Sequence, residues 1–283
     1  MIMTEFFHAI AGYSFMVNAL VMGGLAGVAC GIVGTYVVAR RITFIAGSIA
    51  HAVLGGMGAA RYFAVTQEWS WLQPLHGATI AALAAALTIG WVSLHARERE
   101  DTVIGAIWAI GMAVGILFIS QTPGYNDDLM SYLFGNILMV GRQQLILIGA
   151  LDAVVLFVVV LFYHKLTAVC FDEEFARVRG INVKFFYLLL LALTGLTVVI
   201  LVSVVGLILV IALLTLPVAI AGQFFRTIGR TMVAASILAI LFTVLGLAVS
   251  YQPDLPVGAT IIMVAGAIYL VVTLINRLRR RHP

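Results

Sequence analysis

The chain has 283 residues, 63% of them hydrophobic and only 10% charged, where a soluble domain carries roughly 25% charge. A soluble protein of this length builds one large core rather than a succession of long apolar runs, so a soluble globular fold is set aside. The net charge of +4 and the pI near 9.3 arise from bases at segment ends, not from one exposed patch, which removes nucleic acid as a partner.

Met1 to Ala11 contains Glu5 and His8 and has no basic n-region, so no cleavable signal peptide is expected. Apolar runs then predict spans at about 14–37, 43–64, 76–95, 103–121, 144–164, 185–203, 206–223, 231–250 and 257–276. The division at 203–206 follows from length. Between Lys184 and Arg226 lie 41 uncharged residues. A straight helix of them would run roughly 60 Å, about twice the hydrocarbon thickness of a bilayer. Two spans with a tight turn near Ser203 to Gly206 fit instead. The fold class is therefore an all-α polytopic transmembrane bundle of about nine spans, read as one membrane domain over residues 1–283.

Basic residues decide the expected orientation. With the Arg40–Arg41 turn inside, 14 of the 16 Lys and Arg residues fall on the inner side, and only Arg61 and Arg142 lie at outer ends. The amino terminus is expected outside and the carboxyl terminus inside. The outer side holds Glu5, Glu68, Asp127, Asp128 and Asp254, which suits a cation route, a basic partner or simple solubility.

In the first span Gly23, Gly27 and Gly31 recur every four residues, a face that admits another helix closely. The second span repeats the device with Gly47, His51, Gly55 and Ala59. His51 lies roughly 12 Å along the helix from the inner boundary, a depth at which a histidine needs a partner. Imidazole suits Zn²⁺, Mn²⁺ or Fe²⁺, and a structural hydrogen bond to a neighbouring helix is the alternative.

The outer insertion Gln121–Asn136 begins with a Thr-Pro-Gly turn. Leu129, Met130, Leu133 and Phe134 follow at a spacing that fits a short amphipathic interfacial helix. Asp152, about eight residues into the fifth span, is costly without a partner. A cation, His51, or a hydroxyl such as Ser131 or Thr215 are the partners on offer. Phe171–Gly180 reads FDEEFARVRG. Asp172 is placed to cap a short inner helix, Glu173 and Glu174 sit in its first turn, Arg177 and Arg179 come later, and Gly180 stops it. Phe171, Phe175 and Val178 make its apolar edge, fit for a partner protein or for a solvated interface.

Pro217 in LLTLPVAIAG removes a helical hydrogen bond, with Thr215 nearby to help the disturbed backbone, so it marks either a gate or a packed kink. Cys30 and Cys170 match no metal-site spacing and are read as free thiols. No GxxxxGK[ST], HExxH or GxSxG motif occurs, so no ATPase or other catalytic centre is expected in this chain.

Five stretches resemble the membrane permease subunits of bacterial zinc and manganese ABC importers, the ABC-3 family. They are SIAHAVLGG at 48–56, EREDTVIGAIWAIGMAVGILFIS at 98–120, DLMSYLFGNIL at 128–138, FDEEFARVRG at 171–180 and VVGLILVIALLTLPVAIA at 204–221. The resemblance implies a multi-pass permease of the bacterial cell membrane that works as a homodimer. It also implies two cytoplasmic ATPase subunits that use the ATP, an extracytoplasmic metal-binding protein, and no cofactor held by the chain itself. It makes Phe171–Gly180 the element that couples to the ATPase, with Asp172, Glu173, Glu174 and Arg177 as polar contacts, and it places His51 on the route of a zinc, manganese or iron ion. Asp152 joins His51 on grounds of depth. Where the family commonly reads SHAVLPG, this chain has Ala50 and Gly55, so a different bend near His51 is expected. A non-transporting membrane scaffold is the alternative from another class. An ion-driven carrier is disfavoured because no inverted repeat is evident.

Overall fold

The computed structural model describes residues 13–69, 71–95, 100–123, 133–135, 137–253 and 255–281. The segment before Tyr13, Arg97 to Arg99, the acidic tip of the outer insertion and Asp254 lie outside them. Each apolar run becomes a helix because only a helix satisfies every backbone polar group within one segment in hydrocarbon. In chain order these are α1 Ser14–Ala39, α2 Thr43–Thr66, α3 Pro74–His95, α4 Glu100–Gln121, α5 Arg142–Phe171, α6 Glu173–Val178, α7 Val183–Val205, α8 Leu207–Phe224, α9 Ile228–Tyr251 and α10 Val257–Arg281. Among the described residues, nine of them are long and apolar enough to cross a bilayer; α6 is the short exception. The expected spans are met one for one.

Two boundaries differ from the sequence reading. The fifth helix continues past residue 164 to Phe171, and its non-helical residue is Phe162 (φ −113°, ψ 15°). The helix kinks at Phe162, and the residues beyond the kink form a second helical segment that leads straight into α6. The α7–α8 hairpin is tighter than foreseen, because Gly206 alone separates the helices. Its φ of +87° is open to glycine at little cost. A Cβ there would also collide with the backbone of Phe134 and Gly135.

The helices assemble into two compact units, one of residues 1–38, 133–156 and 204–283, the other of residues 39–132 and 157–203. In the first, α1 lies against α9 along its glycine stripe: a Cβ on Gly23, Gly27 or Gly31 would overlap Thr243, Ile240 or Ser236 in turn. Gly24 is off that face, with nothing near its absent Cβ. Farther along, Gln223 of α8 donates to Thr273 Oγ1 of α10 at 3.0 Å and accepts from Asn276 Nδ2 at 2.8 Å. In the second unit α2 is central. Gly55 and Gly58 bring it onto the backbone of α4 at Gly111 and Gly115, and Gly56 meets Gly77 of α3. Small residues carry these contacts because lipid is as apolar as leucine, so close packing rather than water exclusion holds such helices together.

Candidate functional site

His51 sits in the middle of α2, only 5% exposed. Its Nδ1 lies 2.8 Å from the carbonyl of Gly47, one turn earlier. A carbonyl only accepts, so Nδ1 carries a hydrogen, and in the neutral ring Nε2 then keeps its lone pair. The ring stacks on Trp108 of α4 at 4.3 Å between centroids and 25° between planes. Trp108 fits there because Gly47 has no side chain, and a Cβ on Gly47 would strike the indole. One turn away, Ser48 Oγ donates to the Ile104 carbonyl of α4 at 2.9 Å, fixing the register of the two helices. The α2 helix runs unbroken past Gly55, so the segment that departs from the family pattern carries no break.

Asp152 belongs to the other unit, on the early half of α5. It is 6% exposed, and neither carboxylate oxygen has a hydrogen-bond partner among the described residues. The hydroxyl offered by Thr215 is engaged elsewhere, donating to the Ile211 carbonyl at 2.8 Å. Ser131 lies outside the described residues. No group of three or more His, Cys, Asp or Glu side chains comes together among those residues. Cys30 and Cys170 are buried free thiols.

Pro217 is buried within an α8 that continues through it. Thr215 serves the Ile211 and Ala212 carbonyls rather than the Leu213 carbonyl that Pro217 leaves without a donor.

The acidic helix end forms as its residues demand. Asp172, in an extended conformation, accepts from the Phe175 amide at 2.9 Å and caps α6. At the other end Gly180 adopts φ +74°, its amide donates to the Arg177 carbonyl, and the Ile181 amide reaches the Ala176 carbonyl. That pair of bonds closes the helix in a Schellman motif. Ala176 is fully buried under α6, while Phe171, Phe175, Val178, Glu174 and Arg177 are exposed. Glu173 is different. It pairs with Arg40 in the turn between α1 and α2, and Arg177 approaches its second oxygen at 3.4 Å.

The profile of the ABC 3 transport family matches residues 12–276. The chain belongs to that family. A "probable metal transport system membrane protein" of Chlamydia trachomatis serovar D is 42% identical, over 89% of this chain and 86% of that one. The "manganese transport system membrane protein MntC" of Halalkalibacterium halodurans is 32% identical, over 94% and 89% of the two chains. Among solved structures, a chain of PsaBC from Streptococcus pneumoniae in complex with Fab superposes with a TM-score of 0.84 at 28% identity, covering 95% of each chain. For an ABC-3 membrane protein, the residues that sequence reasoning did not single out are Trp108, Arg40, Tyr187, Ser93 and Glu100. Trp108 and Glu100 stand within the EREDTVIGAIW stretch, but their partners lie on other helices, and no spacing along one helix reveals them.

Proposed function

We propose that this chain is the membrane permease subunit of an ATP-driven importer of a divalent transition metal ion, with manganese the first candidate and zinc and ferrous iron next. Manganese leads because it stands in the names of relatives that align along nearly the whole chain. The single observation that carries the site is His51. A neutral imidazole held by a backbone carbonyl through one nitrogen, with the other left as a σ-donor, is the usual dress of a metal-binding histidine. Asp152 supplies the negative charge that a divalent ion needs in a dry interior, and a passing cation would in turn relieve its own buried charge. A single side chain holds an ion weakly, and that suits transport, since the ion must also leave.

In this reading both compact units act as one permease domain, with the amino terminus outside and the carboxyl terminus inside the cell membrane. Two copies pair, an extracytoplasmic binding protein delivers the metal, and a cytoplasmic ATPase dimer uses the ATP. The exposed edge of α6, with Phe171, Phe175 and Val178 beside Asp172, Glu174 and Arg177, docks on the ATPase, and Gly180 sets where that helix stops. Pro217 serves as a gate position, where α8 lacks one backbone hydrogen bond and bends at lower cost. Uptake of Mn²⁺, Zn²⁺ and Fe²⁺ in metal-starved strains with and without the chain, native partners present, tests the whole. Loss of high-affinity uptake of one metal names the substrate. Uptake of all three unchanged, with redundant carriers removed, returns the chain to the scaffold reading.

A further inference from the structure

Five polar side chains at one end of the α2–α4–α7 unit form a connected line that the transport chemistry above does not use. Glu173, first residue of α6, pairs with Arg40. The Arg40 guanidinium lies over the ring of Tyr187 in α7, 5.4 Å from its centroid. The Tyr187 hydroxyl is 3.0 Å from Ser93 Oγ at the end of α3, and Ser93 donates to Glu100 Oε1 at 2.7 Å. Serine has one hydrogen, so with that hydrogen on Glu100 the Tyr187 hydroxyl is the donor to Ser93. Tyr187 is 2% exposed, and Arg40 and Glu173 keep 23% and 26% of their side chains in the open.

Glu100 opens α4, where a carboxylate is favoured by the helix dipole. Eight residues along the same helix, roughly 12 Å away, Trp108 stacks on His51. The bond from Ser48 to Ile104 and the contacts of Gly111 and Gly115 with α2 leave α4 little freedom to slide locally. A displacement of α6 would reach the start of α4 through Arg40, Tyr187 and Ser93, and because α2 and α4 are locked together it would move His51 and Trp108 as one body.

We propose that Arg40, Tyr187, Ser93 and Glu100 are positioning residues that tie the α6 helix, through Glu173, to the interlocked α2–α4 pair that holds His51 and Trp108. This rests on the permease reading and divides α6 in two: Glu174 and the apolar edge face the ATPase, whereas Glu173 faces inward and transmits.

The test uses the whole transporter, the chain with its ATPase and binding protein, reconstituted in vesicles. Metal taken up per ATP hydrolysed is measured for the parent, Arg40→Glu, Glu173→Arg and the double exchange. Each single variant is expected to lose about tenfold in metal per ATP, within the usual range of coupling between sites. The double exchange remakes the ion pair but leaves no cation over the Tyr187 ring, so it is expected to recover only part of the loss, with the ATPase copurifying with all three. Parent-like coupling in the single variants, or a double exchange restored fully to the parent, overturns the relay. Should a single variant fail to assemble, Tyr187→Phe keeps the ring under Arg40 and removes only the hydroxyl to Ser93. A loss of about threefold in metal per ATP, the worth of one neutral hydrogen bond, supports the relay, and an unchanged ratio overturns it. A parent complex that hydrolyses ATP but moves no metal overturns the permease reading and the relay with it, whereas a transporting parent with indifferent variants overturns the relay alone.

Discussion

In the unit built around α2, His51 donates to the Gly47 carbonyl and stacks on Trp108, whereas in the unit built around α1 and α9 the carboxylate of Asp152 is buried with neither oxygen hydrogen-bonded. Both units use the same packing device, glycines that bring helix backbones together, yet they leave their polar residue in opposite conditions. The histidine is at rest without a ligand and offers one lone pair. The two oxygens of Asp152 have no hydrogen bond among the described residues, and a buried carboxyl without a partner is costly. The difference lies in what the surroundings supply: a backbone carbonyl one turn away for His51, and no hydrogen-bond donor among the described residues for Asp152.

The sharpest way to break the comparison is to break the packing that both sides share. Gly31→Leu places its side chain into Ser236 of α9, and a cost of about 3 kcal/mol is expected from overpacking. Gly24→Ala, on the open side of the same helix, is expected to be silent. Thermal unfolding of the detergent-solubilised protein checks both; equal behaviour would mean that the stripe does not hold α1 to α9.

His51→Ala is expected to lower metal uptake by about thirtyfold while the protein still assembles, in the range for losing an element of a metal site. Normal uptake across metal concentrations removes His51 from the route. For Asp152→Asn the expected loss of uptake is smaller, about tenfold, with a fold as stable as the parent, since a carboxyl without hydrogen bonds is exchanged for an amide of the same shape. A marked drop in melting temperature would show that the carboxylate has a partner after all, and the contrast with His51 would fall.

Ser48→Ala should cost about 1 kcal/mol by removing the interhelical bond to the Ile104 carbonyl, and it should leave the His51–Trp108 stack in place. Smaller still, Glu174→Ala is expected to weaken association with the ATPase about threefold, as exposed ion pairs usually do. Glu173→Ala is expected to leave association alone and lower metal uptake per ATP. Identical effects of the two would erase the division of labour within α6.

Much of this molecule could be read in advance. The Lys184–Arg226 interval had to fold back on itself, and Gly206 is where it does. Asp172 and Gly180 announced the start and stop of α6, since capping is decided within one turn. The stripe of Gly23, Gly27 and Gly31 announced a helix contact. It did not announce α9 as the neighbour, because small residues such as Ser236 and Thr243, which meet the stripe, occur on other spans as well. The extension of α5 to Phe171 was hidden by His164 and Lys165, polar residues that end an apolar run without ending a helix.

Sequence alone determined the number of crossings and which polar residues stand inside them, because both depend on the length of an apolar run set against a bilayer of fixed thickness. It also determined the short capped helix, whose hydrogen bonds close within a few residues. Only the tertiary structure decided what those residues meet. Glu173 finds Arg40 across 133 residues of chain, His51 finds Trp108, and Asp152 finds no hydrogen bond among the described residues. Helices that are apolar all round carry no pattern naming their neighbours, so each pairing is settled by which small residues let two backbones come close.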